Sequence, residues 1–279
     1  MKGEGPSCAL DSDAERRFGG SARLFGAAGL ARLRLGHVCV IGVGGVGSWA
    51  AEALARAGVG RLTLIDLDHV AESNVNRQVH ALSSTLGAAK VDVMRQRIAD
   101  IAPDCAVMTI DDFITPENVA ALLPADTLVI DAIDQPRAKA ALIALAQRRK
   151  QPIIVCGGAG GRIDPLRLQR GDLAVTRGDA LLANVRARLR REHGFAREPG
   201  KRFRVEAIWS EEPLRREVPA GAAAPDEAGA AMRAETSDAL VFAGGGAPLG
   251  CAGYGSMVTV TGSMGFAAAA WAIERLVRG

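Results

Sequence analysis

Gly42, Gly44 and Gly47 form a G-x-G-x-x-G run between an apolar stretch and a helical one. Glycines at this spacing let the backbone turn tightly and approach a phosphate. The helix that follows presents free N–H groups to the anion. Asp66 stands nineteen residues on, at the end of a second apolar run, where a carboxylate accepts hydrogen bonds from ribose hydroxyls. The pattern predicts nucleotide binding but does not choose between NAD and ATP. Cations argue for a triphosphate. Arg77 in NVNRQ can clamp phosphate oxygens, Lys90 in GAAK can act as a point charge, and Asp134 in DAID can hold magnesium. Each residue also has a plainer reading: a surface loop charge, a solvated helix residue, and an N-cap for a helix starting at Pro136.

The elements needed to position these groups are legible in outline. Residues 38–43 read as a buried strand, and 61–66, 106–110, 127–131 and 153–156 as further strands. Residues 46–57, 88–101 and 136–149 read as the helices between them. Strict alternation predicts an α/β fold, a Rossmann-like doubly wound, mainly parallel sheet with a smaller C-terminal extension. The expected division is a helical arm at 1–35, an ATP-binding part at 36–161 and a C-terminal part at 162–279. In that last part residues 162–170 read as an exposed strand pair about Pro165, 179–193 as a basic helix and 203–209 as a strand. Residues 218–248, rich in Ala, Gly and Pro, read as a mobile loop.

Composition sets the outer bounds. The chain has 279 residues, 48% of them hydrophobic, which excludes global disorder. Its five cysteines are odd in number and none forms a CxxC, so a disulfide framework or four-cysteine zinc site is not expected. The cytoplasm is the expected location. Met1 to Gly20 carries charges throughout, so a secretory leader is not expected either. Residues 257–273 are uncharged but short and hydroxyl-bearing, and read as a buried helix rather than a membrane span.

The motifs occur in a familiar order: GxGGxG, Asp66-x-Asp68, Asn74-x-x-Arg77-Gln78, Gly87-x-x-Lys90 and Asp131-x-x-Asp134. In these the chain resembles the ubiquitin-activating-enzyme-like adenylyltransferases. Residues 17–24, 40–55, 157–165 and the surroundings of Cys251 are similar to the branch of tRNA threonylcarbamoyladenosine dehydratases. The resemblance implies that Gly42, Gly44, Gly45 and Gly47 cradle phosphates and that Asp66 holds the ribose. It also implies that Asp68, Asn74, Arg77 and Lys90 contact the triphosphate or organise the site, and that Asp134 binds magnesium. Arg77, Lys90 and Asp134 would carry the catalysis. The implied reaction is ATP-dependent ring closure of a threonylcarbamoyladenosine beside the anticodon of tRNA, by way of an acyl adenylate. The resemblance further implies a homodimer, and admits a monovalent cation and a cysteine-desulfurase or sulfur-acceptor partner.

Two departures stand out. Relatives that act on small carrier proteins use an N-terminal arginine across a dimer, and the register puts Gly20 there; Arg17 or Arg23 is the substitute. Their paired CxxC motifs are missing, which disfavours an adenylyltransferase for a ubiquitin-like sulfur carrier, the nearest rival function. The glycine loop also fits an NAD(P)-binding oxidoreductase, indifferent to Lys90, and an inert nucleotide-binding scaffold.

A basic run suits a phosphate backbone. Arg186, Arg188, Arg190, Arg191, Arg197, Lys201, Arg202 and Arg204 stand against Glu192 and Glu198, a local charge of +6 in a chain of +3. Its plainer reading is a solvated face. Cys251, between glycines, is either a reactive thiol or a small packing residue. Cys39 and Cys156 lie in apolar strands and read as core.

Overall fold

The computed structural model describes residues 12–198, 200–215 and 255–279. Cys251 and the 218–248 stretch lie outside the described residues, so the readings of a reactive thiol and a mobile loop stay as expectations.

Among the described residues, seven strands form one sheet in the order β3-β2-β1-β4-β5-β7-β6. They are β1 (His37–Ile41), β2 (Arg61–Ile65), β3 (Ala106–Ile110), β4 (Leu128–Asp131), β5 (Ile153–Cys156), β6 (Leu168–Asp172) and β7 (Glu206–Ser210). All neighbours run parallel except β6, which pairs antiparallel with β7. The five strands expected between residues 38 and 156 are thus all present, and the strand expected at 203–209 is β7, at Glu206–Ser210. Residues 162–170 differ from the expected strand pair. A 3-10 turn at Pro165–Arg167 leads into the single strand β6. Asp164 caps that turn by accepting from the Leu166 amide at 2.9 Å. The proline and this cap bend the chain where alternation alone suggested pairing.

The inner strands β1, β2, β4, β5 and β7 are buried because helices cover both faces of the sheet, while the edge strands β3 and β6 are partly exposed. In β1, Val38 and Val40 point to one side; α2 (Gly47–Ala57), α3 (Lys90–Ile101) and α7 (Val258–Arg278) close over them. Cys39 and Ile41 point to the other, against α5 (Pro136–Arg148) and α6 (Ala180–Glu192), with the short α4 (Val119–Leu122) beside them. The helix α1 (Ser12–Leu35) is broken at Gly26, whose φ of 74° and ψ of 166° leave the helical region. Its Phe18 and Leu30 pack with Ala102 beyond the end of α3.

The C-terminal helix is the element that binds the two ends of the chain together. Gly262 and Gly265 of α7 face Trp49 of α2, and a Cβ on Gly265 would lie 2.5 Å from the Val46 carbonyl oxygen. Trp49 meets Phe266 edge to face, with centroids 5.8 Å apart. Among the described residues no helix is long and apolar enough to cross a membrane. The expected helix in the run at 257–273 is present as α7; its Val260, Met264, Ala268 and Trp271 are buried, while Met257, Val258 and Phe266 are exposed.

Candidate active site

The strand order reverses between β1 and β4, and the glycine loop opens at their carboxyl ends. In a doubly wound sheet that is where ligands enter. Gly42 extends β1 by donating to the Ile65 carbonyl at 2.9 Å and turns with φ 85°. A Cβ there would lie 3.0 Å from the Ala132 carbonyl, so loop and β4 turn touch. At Gly47 a Cβ would lie 1.8 Å from the Gly42 oxygen, which no side chain tolerates. Gly45 abuts Thr261 and Arg77, whereas Gly44 has only the Gln78 amide, 3.8 Å away. The loop is therefore tight at its base and open over Gly44. Helix α2 begins there with neither a side-chain cap nor an acid in its first turn, leaving its positive end for an anion.

Asp66 ties this loop to β2. Its Oδ2 accepts from the Val43 amide at 2.6 Å and its Oδ1 from the Asp68 amide at 2.8 Å. Burial pushes its carboxyl up, and Lys90 and the two amides pull it back. Each oxygen keeps a lone pair for a ribose hydroxyl. Asp68 accepts from Lys90 Nζ at 2.7 Å, and the Lys90 side chain is 6% exposed. The solvated-helix reading of Lys90 is thus corrected: Asp68 aims it, with two ammonium protons left over.

Arg77 donates to the Ser73 carbonyl at 2.6 Å and to Asn76 Oδ1 at 3.1 Å. Its own carbonyl accepts from Trp49 Nε1 at 2.9 Å and from Thr261 Oγ1 at 3.4 Å. Asn74 is buried, and its Oδ1 accepts from the Ala71 amide at 3.1 Å, so it shapes the loop rather than facing solvent. Asn76 Nδ2 donates to the Ser256 carbonyl at 2.8 Å. The segment carrying Arg77 therefore hangs on α2 and on the C-terminal part of the chain together.

Asp134 is exposed, and no hydrogen bond engages it among the described residues. The N-cap of α5 is Gln135, with no side-chain bond, so Asp134 is not the cap it could have been. A lone, unpaired carboxylate beside a phosphate loop fits magnesium, which takes one or two carboxylates and completes its shell with phosphates and water. Among the described residues no group of three His, Cys, Asp or Glu could hold a metal by itself.

The turn that carries Asp134 is fixed from below by a residue that sequence reasoning missed. Lys139 is fully buried and sits 2.8 Å from Asp131 Oδ1, with both side chains 0% exposed. It also donates to the Asp131 carbonyl at 3.3 Å, and Asp131 Oδ1 accepts from the Ile133 amide at 3.2 Å. The available signal was compositional: Lys139 is one of only five lysines and lies inside an alanine- and leucine-rich helix.

His80, which feels the charges of Lys90 and Arg97, is buried, and neither ring nitrogen has a partner among the described residues. Burial, then the charges of Lys90 and Arg97, hold its pKa down to about 4. An imidazole in the unfolded chain titrates near 6.5, so the unfolded state takes up the proton first as pH falls. The stability held by neutral His80 is complete above about pH 6.5 and is lost on acidification toward pH 4. Urea unfolding at pH 7.5 and 4.5 checks this. The protein is expected to lose about 2 to 3 kcal/mol more than its His80→Gln variant; equal losses would refute it.

Other residues singled out by sequence fall into supporting roles. Gly157 and Gly158 close on Asp179, whose Oδ2 accepts from the Gly158 amide at 2.9 Å while its Oδ1 caps α6 at Leu182. Arg162 is buried and donates to the carbonyls of Gly158, Gly178 and Glu212. Burial pushes the Cys156 thiol up to about 12 and raises that of Cys39 as well, so both are inert core. Arg17 donates to the Asp100 and Ile101 carbonyls at the far end of α3, and Arg23 is exposed.

The basic run divides in two. Arg186 turns onto Thr176, Arg188 onto Asn184 and Glu192, and Arg190 onto the Ala196 carbonyl and the Phe203 ring. Arg191, Arg197, Lys201, Arg202 and Arg204 are exposed. These five follow the descent of α6 and precede β7, so they lie at the amino-end edge of the sheet, opposite the glycine loop.

Residues 19–278 match the ThiF family. The chain is 45% identical to the tRNA threonylcarbamoyladenosine dehydratase of Escherichia coli (strain K12), over 95% of this chain and 96% of that one. It is 42% identical to the Haemophilus influenzae protein of the same name, over 95% and 94%. The crystal structure of the E. coli dehydratase in complex with ATP superposes with a TM-score of 0.81, at 40% identity over 97% of both chains.

Proposed function

The chain belongs to the ThiF family, and from that premise we propose that it catalyses the ATP-dependent cyclisation of threonylcarbamoyladenosine in tRNA, beside the anticodon. The observation that carries this reading is end-to-end similarity to the dehydratases, 45% over 95% of the chain. The site is consistent with it: an open glycine loop, an aimed lysine and an unpaired carboxylate meet at one edge of the sheet.

The threonyl carboxylate attacks the α-phosphorus of ATP, a P–O bond forms, and pyrophosphate leaves with the electron pair. The urea group of the same modification then attacks the activated carbonyl, loses its proton, closes the ring and releases AMP. The enzyme is in this reading an AMP-forming ligase. The loop of Gly42, Gly44, Gly45 and Gly47 holds the phosphates through backbone N–H groups, with Asp66 on the ribose. Lys90, aimed by Asp68, and Arg77, on the loop shaped by Asn74, offset the charge that gathers on phosphorus. Magnesium, held by Asp134, would neutralise phosphate oxygens. Ring closure is intramolecular, so positioning supplies much of the rest of the rate. The enzyme works as a cytoplasmic homodimer, where its tRNA substrate is.

The test is mass analysis of nucleosides from tRNA carrying threonylcarbamoyladenosine, incubated with the protein and magnesium with and without ATP. The expected result is ATP-dependent loss of one water from that nucleoside, with AMP formed. An unchanged nucleoside would overturn the reading. ATP–pyrophosphate exchange dependent on a ubiquitin-like carrier would replace it.

A further inference from the structure

The amino-end edge of the sheet carries a cleft of about 710 Å³, on the side away from the glycine loop. Arg61, Arg149, Lys150 and His37 line it, with Asp126 as the one acid among the described residues. Arg61 and Arg149 are pinned by backbone carbonyls: Arg61 by Leu35 at 3.0 Å, and Arg149 by Leu123 and Ala120, each at 2.9 Å. A guanidinium has five N–H donors, so both retain donors for an anion. Lys150 is exposed.

Backbone strain is concentrated on the same edge. Among the described residues, three other than glycine have positive φ: Asp126 at 56°, Lys150 at 53° and Arg204 at 58°. Asp126 and Lys150 line the cleft. Arg204 stands just before β7, where its carbonyl accepts from Gln147 Nε2 at 3.1 Å. Glycine takes this conformation without penalty, so a side chain there is held against a cost. Two of the three side chains so held are cations. Sheet order sets them in a row: Arg61 as the first residue of β2, Lys150 before β5 and Arg204 before β7. Four strand spacings separate the ends of this row, about 19 Å.

We propose that this cleft and the cations beside it form a track for the RNA sugar–phosphate backbone, with Arg61, Lys150 and Arg204 as its principal contacts. The proposal rests on the tRNA reading above and extends it to a second face. Carbonyl-pinned guanidinium groups and strained lysine and arginine residues are suited to fixed, repeated anionic groups. The strand β1 separates the track from the glycine loop by five residues, about 17 Å. That is roughly five base-pair steps of a duplex, so one tRNA can present its modified nucleotide to one edge and its stem to the other.

The experiment uses the full chain and a tRNA carrying the modification. Arg61→Gln/Lys150→Gln is expected to raise KM for tRNA at least tenfold with kcat within twofold, and to leave the affinity for ATP unchanged. The slope of log affinity against log salt is expected to shrink by about 1.5 to 2, the loss of two phosphate contacts. Lys150→Gly gives the second readout. It relieves the strained position, so Tm is expected to hold or rise while tRNA affinity falls. An unchanged KM and salt slope would overturn the track, as would a loss of tRNA affinity only in proportion to a lower Tm. A wild-type protein that binds tRNA with the expected salt slope but leaves the nucleoside unchanged would overturn the reaction and retain the track.

Discussion

Asp134→Asn is expected to lower magnesium-dependent turnover about 1,000-fold, equivalent to about 4 kcal/mol of transition-state stabilisation. The residue is exposed and engages no partner among the described residues, so the fold does not depend on it. Tm should therefore stay within about 1 °C of the wild type, because exposed substitutions away from special features change stability little. Binding of ATP should weaken far less than turnover, since the glycine loop and Asp66 are untouched. Titrating activity against magnesium, with ATP affinity measured in parallel, decides the matter. Turnover within threefold of wild type would remove Asp134 from the site.

Lys139→Met is expected to destabilise the protein by about 3 to 5 kcal/mol, the cost of leaving one member of a buried ion pair unpaired. Asp131 is wholly buried, its Oδ1 is 2.8 Å from Lys139 Nζ, and its Oδ2 has no partner among the described residues. Bulk solvent does not reach the pair, since both side chains are 0% exposed. Pairing the change with Asp131→Leu is expected to recover most of the loss, since the charge left behind goes with it. Urea unfolding with an unchanged m-value checks both variants. A cost below about 1 kcal/mol for Lys139→Met alone would show that the pair contributes little.

The two residues show opposite kinds of legibility. Asp134 was visible from its place just past a β-strand, because an acid there lies at the carboxyl edge of a parallel sheet whatever the packing. Lys139 was not, because it differs from a surface lysine only in which face of α5 it occupies. That face is set by how α5 lies on the sheet.

The first five of the six parallel strands, the helices between them, the glycine loop and Asp66 were determined by local pattern. Apolar runs, glycine spacing and proline positions act within a few residues and need no distant partner. What the tertiary structure alone decided is where charge goes. It buried Lys90 and aimed it with Asp68, set Lys139 under the Asp131 turn, and folded Arg186, Arg188 and Arg190 back onto their own surroundings. It also carried the exposed half of the basic run to the edge opposite the site. The reason is that desolvation and pairing depend on neighbours supplied by segments far apart in the chain. A side chain's charge is therefore legible in sequence, but its surroundings are not.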